Sequence, residues 1–480
     1  MSSLAQKLIA PWASENPRLS PFAKVVTPGE VPLSRLLRLS LFQVSVGMAL
    51  VLLVGTLNRV MVSELGVPSA LATMMVALPL LFAPLQVLIG HRSDSHRSSL
   101  GWRRVPFILG GTLLKFCGVA LMPFALLVLA GDAAAASAPK WIGLVSVTLA
   151  CLMMGVGAHT VHTTGLALAT DLTPTRMQPR VVGLMYVMLL AGIIASAWVF
   201  GATLENLTPD QLVRVLQGAA MAVIVLNLVA SWKQEALAVG NARDTATPVA
   251  TFRDSWGQLC RGPQAVRRLI IVGLGTMAFG MASILLEPMG GHVVSTTKLL
   301  ALLAFGGLLG FAYASRVMSS GTDPFRLAFA GATIGLLVCL LVIGAQSLGM
   351  PGVFLVGNFL IGFGGALFGH ATLTAIMFSA PKGQIGLALG AWGAVQVSAA
   401  GGGIALSGAV RDLANLLLGP DRQVFGFVAE AGGYMAVSAL EIGLLVATIV
   451  VIAPLLRRRL VQRVGGASQS FSETSLPSGP

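Results

Sequence analysis

The chain has 480 residues, 55% of them hydrophobic and 10% charged, with a mean hydropathy of +0.84 and a formal net charge of +13. Hydropathy this high over this length excludes a soluble globular domain and leaves a polytopic α-helical membrane protein. The apolar runs are too long and uniform for a transmembrane barrel, and the basic residues are scattered among short loops rather than gathered into a nucleic-acid footprint.

Residues 1–37 are polar to amphipathic, and Pro11, Pro17, Pro21, Pro28 and Pro32 prevent a long helix there. The segment suits either a membrane-surface position or a tail. The first long apolar run begins near Leu39, too deep for a cleavable leader, so it is expected to be a retained first span. Uncharged runs of about 17 or more residues predict spans at roughly 38–58, 68–90, 105–130, 141–170, 181–204, 214–232, 268–287, 298–316, 326–347, 351–379, 384–408 and 431–456. Spans nine and ten come from one uncharged stretch, split at Gly349-Met350-Pro351-Gly352.

Orientation follows from the basic residues. With the N-terminus cytoplasmic, 24 Lys and Arg fall on the cytoplasmic side and 6 on the other, with Lys115 inside a span. That asymmetry places both termini in the cytoplasm. The longest internal loop follows span six. The expected organisation is therefore a cytoplasmic segment 1–37, a six-helix bundle 38–232, a cytoplasmic linker 233–267, a second bundle 268–456 and a tail 457–480.

The two halves repeat. Arg104-Val105-Pro106-Phe107 leads into span three as Thr322-Asp323-Pro324-Phe325 leads into span nine, and His162 in span four has a counterpart in His370 in span ten. Six plus six spans with a cytoplasmic linker predict the major facilitator fold, all-α, with two bundles facing a midplane cavity. The loop after span two is similar to the Gly-x-x-x-Asp-Arg-x-Gly-Arg-Arg pattern of those proteins. Gly90, Asp94, Gly101, Arg103 and Arg104 match it in order, with extra residues between Asp94 and Gly101. The resemblance implies a conformational latch at helix ends.

Polar residues inside spans are costly, and each is a functional candidate. Span four holds His159 and His162, three apart and so near one helical face; span ten holds His370, preceded by several glycines. A membrane histidine either hydrogen-bonds a neighbouring helix or ligates a metal centre such as that of a tetrapyrrole. Glu287, ahead of Pro288, Gly290 and Gly291, either pairs with a cation such as Lys115, caps a helix end, or carries a proton. Spacing alone does not set which way these side chains face. The four cysteines give no disulfide or metal signature, and no Walker motif, zinc spacing or nucleophile–base arrangement is present, so catalysis is not expected.

At three segments the chain resembles the PucC/LhaA family, the bacteriochlorophyll delivery branch of the major facilitators. They are GHRSDSHRSSLGWRRVPFILGGTLLK at 90–115, GLALATDLTP at 165–174 and LLEPMGG at 285–291. The resemblance implies an assembly factor of the light-harvesting antenna in the intracytoplasmic photosynthetic membrane. Such a factor holds or passes bacteriochlorophyll to the antenna polypeptides, with pigment-synthesis enzymes and membrane lipids as further partners. The extended 90–104 loop is more similar to the LhaA type, tied to the core antenna. His159, His162, His370 and Glu287 become the candidate pigment residues. Two other classes stay open: a secondary transporter of a neutral or hydrophobic solute, and a scaffold that binds no pigment.

Overall fold

The computed structural model describes residues 23–24, 32–57, 60–61, 74–75, 77–80, 82–96, 102–131, 139–175, 177–203, 208–236, 251–262, 264–290, 296–348, 351–381, 383–418 and 429–473. Helix dominates. α1 spans Leu33–Leu50 and widens into a π-helical stretch over Val51–Leu57. It is followed by α2 Leu85–Ser95, α3 Val105–Ala130, α4 Lys140–Asp171, α5 Gln178–Thr203, α6 Pro209–Ser231 and α7 Phe252–Arg261. Then come α8 Ala265–Gly290, α9 Thr296–Ser319, α10 Pro324–Leu348, α11 Pro351–Ser379, α12 Ile385–Leu418 and α13 Ala429–Glu473. The only pairing of extended backbone among the described residues is parallel, β1 Ala23–Lys24 against β2 Glu235–Ala236.

Among the described residues, ten helices are long and apolar enough to cross a membrane. The expected count of twelve also needs 68–90 and 268–287. Parts of 68–90 lie outside the described residues, and 268–287 coincides with α8. The split of the long uncharged stretch is where Pro351 places it, since a proline has no N–H to continue α10 and is well suited to open α11. Two helices outrun their hydropathy windows. α12 continues from the expected end at 408 to Leu418 past Arg411 and Asp412, and α13 continues into the expected tail as far as Glu473. Hydropathy marks where a helix meets lipid, not where its hydrogen bonding stops. The linker is not simply a loop either. It contains α7, whose start is capped by Thr251 accepting the Asp254 N–H.

The chain forms two compact units. The first comprises Met1–Ala265 and Ile376–Gly401, the second Val266–Ala375 and Gly402–Pro480. In the first unit α3 runs along α4, α1 along α5 and α3 along α6. Apolar transfer distinguishes little between helices in lipid, so close backbone approach does the packing. A Cβ on Gly157 would meet the Gly111 carbonyl oxygen at 2.6 Å, and one on Gly47 the Leu189 carbonyl at the same distance. Leu52, Met122, Met154 and Leu216 fill the space between these helices. In the second unit α10 packs along α13. Gly331 lies against the Gly364 carbonyl, and Ile271, Phe325, Phe368 and Ile452 form the core.

Candidate functional site

The polar residues inside the first unit form connected groups. α4 supplies the first. Thr160 and Thr164 spend their hydroxyls on carbonyls of their own helix, to Val156 at 2.8 Å and Thr160 at 2.6 Å. The imidazoles of His159 and His162 are left as the outward-reaching polar groups of that face, and both are half-buried.

Their hydrogen-bond partners set them apart. His162 Nδ1 lies 3.0 Å from Gln43 Oε1 on α1. With the amide oxygen placed on that side, Nδ1 carries the hydrogen and Nε2 the lone pair, because an amide oxygen only accepts. That lone pair faces the Tyr186 hydroxyl on α5 at 3.5 Å, a long contact, and the Tyr186 ring stands edge-on to Trp392 of α12. His159 is the reverse. Gln86 Nε2 on α2 reaches His159 Nδ1 at 3.1 Å, while Gln86 Oε1 accepts the Thr163 hydroxyl at 3.0 Å. An amide nitrogen only donates, which uses the His159 Nδ1 lone pair and leaves the hydrogen on Nε2. Two histidines of the same helix face thus hold opposite tautomers. Only His162 keeps a lone pair without a close donor, and its other nitrogen donates to a carbonyl-type oxygen, the arrangement that orients a metal-ligating imidazole.

His370 lies in the second unit, on α11, fully buried and edge-on to Phe311 with ring centres 5.9 Å apart. Glu287, Pro288 and Gly290 form the last turn of α8, which passes Pro288 and ends at Gly290; the Glu287 side chain, Gly291 and Gly101 lie outside the described residues. Lys115 is fully buried and donates to Ser45 at 2.8 Å, in a group continued by Ser45 to Asn227 Oδ1 and Asn227 Nδ2 to Thr112. Among the described residues no three or more His, Cys, Asp or Glu side chains are placed to hold a metal ion.

The second group is the loop after α2. Asp94 accepts from Arg104 Nη2 and Arg103 Nη2, and also from the backbone N–H groups of Gly386 at 3.0 Å and Leu387 at 2.7 Å. Those two amides open α12, so the carboxylate caps a helix N-terminus as well as pairing with arginines. Arg104, fully buried, also reaches Asp171 at the end of α4 and Ser93 of α2. Gly90 permits the approach, since a Cβ there would overlap the Gly386 carbonyl oxygen. Glu235 completes the group, accepting the N–H of Arg103, Arg104 and Val105 where α3 begins.

Four of these residues were not among the sequence candidates: Gln43, Gln86, Tyr186 and Glu235. Gln43 and Gln86 fall inside predicted spans, so the cost of intramembrane polar groups could have singled them out. Glu235, in the linker, carries no such signal.

The sequence profile of the PUCC protein family matches residues 56–460, and the chain belongs to this family. It is 54% identical over 419 residues to Protein PucC of Rhodovulum sulfidophilum, covering 86% of this chain and 92% of that protein. It is 50% identical over 470 residues to Protein PucC of Cereibacter sphaeroides, covering 96% and 100%. A more distant relative, the bacteriochlorophyll synthase 44.5 kDa chain of Rhodobacter capsulatus, is 29% identical over 84% of this chain and 93% of its own. Among solved structures, a bacterial homologue of the iron transporter ferroportin in an outward-facing state superposes with a TM-score of 0.64 at 14% identity, covering 88% of this chain and 98% of its own. The human organic anion transporter MFSD10 superposes at 0.59 with 15% identity, covering 88% and 100%. These likenesses establish the all-α major facilitator fold of a multi-pass membrane protein.

Proposed function

We propose that this protein assists assembly of the light-harvesting antenna by holding bacteriochlorophyll as a cargo and passing it to antenna polypeptides, in a bacterial photosynthetic membrane with both termini cytoplasmic. The observation that carries the reading is the oriented imidazole of His162. Its Nδ1–H donates to Gln43, and among the described residues its Nε2 lone pair meets the Tyr186 hydroxyl at 3.5 Å. A central magnesium needs one such nitrogen, and a cargo site needs a ligand weak enough to let go. His159 does not fit as a ligand, because Gln86 occupies its lone pair; it fits a positioning role beside His162. His370 and Glu287 remain candidates in the second unit.

Membership of the PUCC family supports the pigment-handling context, as does the name of the distant relative from Rhodobacter capsulatus. The 90–104 loop favours the core antenna as client, whereas identity with two relatives named PucC favours the peripheral one. Antenna polypeptides and pigment-synthesis enzymes are the expected partners. The major facilitator fold keeps solute transport as the competing activity.

The test is the absorption spectrum of the protein purified gently from a pigment-producing host. A near-infrared bacteriochlorophyll band at fixed ratio to protein, shifted or lost in His162→Leu and retained in His159→Leu, supports delivery through His162. A colourless protein that still co-purifies with core or peripheral antenna polypeptides makes it a scaffold. A colourless protein without them, with saturable solute counterflow in liposomes, makes it a transporter.

A further inference from the structure

The first turns of α1 carry an unusual charge arrangement. Helix N-termini favour acidic side chains, yet α1 has none in its first turn and instead holds Arg35 and Arg38, three apart and repelling across one turn. Neither guanidinium pairs with a carboxylate among the described residues. Arg35 donates Nε to Gln234 Oε1 at 3.0 Å and Nη2 to the Gln234 carbonyl at 2.6 Å, both neutral acceptors. Arg38 Nε is buried and has no hydrogen-bond partner among the described residues. Arg103 and Arg104 differ in this, since both pair with Asp94 and Arg104 also pairs with Asp171.

Lys233 brings a third positive charge to the residue next to Gln234, the partner of Arg35. It immediately precedes Gln234, is exposed, and holds a left-handed backbone with φ of 51°. Around this basic cluster the helix exposes hydrocarbon. Leu33 is 64% and Leu37 40% exposed, on a helix whose membrane-spanning segment starts at Leu33.

We propose that Arg35, Arg38 and Lys233 bind the phosphate of an anionic phospholipid, with Leu33 and Leu37 against its acyl chains. A half-buried guanidinium that no carboxylate of the described residues neutralises keeps its charge and its outer donors for an acceptor outside the chain, and a membrane phosphate is the acceptor at hand at this depth. The exposed leucines select a lipid over a soluble phosphate. The basic-residue count places this end of α1 on the cytoplasmic side, where the leaflet is anionic. Because Gln234 and Glu235 are consecutive, a lipid held by Arg35 sits one residue from the carboxylate that caps α3. The site is independent of pigment binding.

Native mass spectrometry of the full-length protein from mixed micelles tests it, with phosphatidylglycerol, phosphatidylcholine and glycerol 3-phosphate as probes. The wild type retains phosphatidylglycerol in preference to phosphatidylcholine. Arg38→Gln lowers phosphatidylglycerol retention about fivefold, leaves phosphatidylcholine unchanged, and Arg38→Lys restores part of it. Should Arg38→Gln fold poorly, Lys233→Gln at an exposed position gives the same reading. Equal phosphatidylglycerol retention in the folded variants and the wild type overturns the proposal. Glycerol 3-phosphate binding as tightly as the lipid overturns the lipid assignment in favour of a soluble phosphate.

Discussion

Asp94 Oδ2 accepts the backbone N–H of Leu387 at 2.7 Å, joining the end of α2 to the start of α12 across almost three hundred residues of sequence. The same carboxylate neutralises the fully buried Arg104. Removing one partner of a buried pair leaves the other charge exposed to low dielectric, so Asp94→Asn should cost about 3 kcal/mol. Asp171, which shares Arg104 but is 31% exposed, should cost about 1 kcal/mol as Asp171→Asn. Denaturant unfolding of the purified protein in mild detergent checks the ranking. Equal losses would mean that Asp94 is no more buried in effect than Asp171.

Close approach of α2 to α12 needs Gly90. A methyl group there would overlap the Gly386 carbonyl oxygen, and backbone cannot rotate away as a side chain can. Gly90→Ala should therefore destabilise by about 1–3 kcal/mol. Gly110, with nothing within 4 Å of its would-be Cβ, should accept alanine without loss. The pair of variants, unfolded side by side, separates a packing requirement from a general intolerance of glycine replacement.

The helices were legible in the sequence because lipid demands long apolar runs, and α3 matches its predicted span of 105–130. The break between α10 and α11 was the least legible boundary, one uncharged stretch marked only by Gly349-Met350-Pro351-Gly352, and Pro351 opens α11 there. The latch was legible in part. Asp94, Arg103 and Arg104 stood out as a motif, but the α12 amides that Asp94 caps belong to Gly386 and Leu387, which are apolar in sequence and enter through backbone alone. Glu235 was hidden for a related reason, since its three partners are also backbone N–H groups. For the histidines, spacing put His159 and His162 on one face. Their difference depends on which amide atom meets each ring, and Gln43 and Gln86 come from other helices.

Lys115 offers a contrast of sign. Its ammonium has Ser45 as its hydrogen-bond acceptor, and no carboxylate among the described residues pairs with it. Exchanging a buried charge for an apolar chain of similar length is often neutral or stabilising, so Lys115→Met should leave stability unchanged or raise it. Ser45→Ala instead strands the amine and should cost about 1–3 kcal/mol. Unfolding measurements on the two single variants and the double variant check this. In the double variant the loss from Ser45→Ala should shrink but not vanish, because the stranded amine is gone while Asn227 Oδ1 still lacks the Ser45 hydroxyl.

Tyr186 and Gln43 should act oppositely on pigment binding if His162 Nε2 is the ligating atom. Tyr186 offers its hydroxyl to that nitrogen at 3.5 Å and so competes weakly with a metal centre. Tyr186→Phe keeps the ring edge against Trp392 and removes the competitor, so the bacteriochlorophyll-to-protein ratio should hold or rise. Gln43 accepts the Nδ1 hydrogen and keeps the lone pair on Nε2. Gln43→Leu frees the ring to turn or change tautomer, and loss of such an orienting partner typically weakens a metal ligand by about 10–100-fold. The ratio should fall sharply, and the near-infrared band should shift towards that of free pigment. A fall in Tyr186→Phe with no change in Gln43→Leu would mean that the tyrosine hydroxyl, rather than His162, holds the pigment.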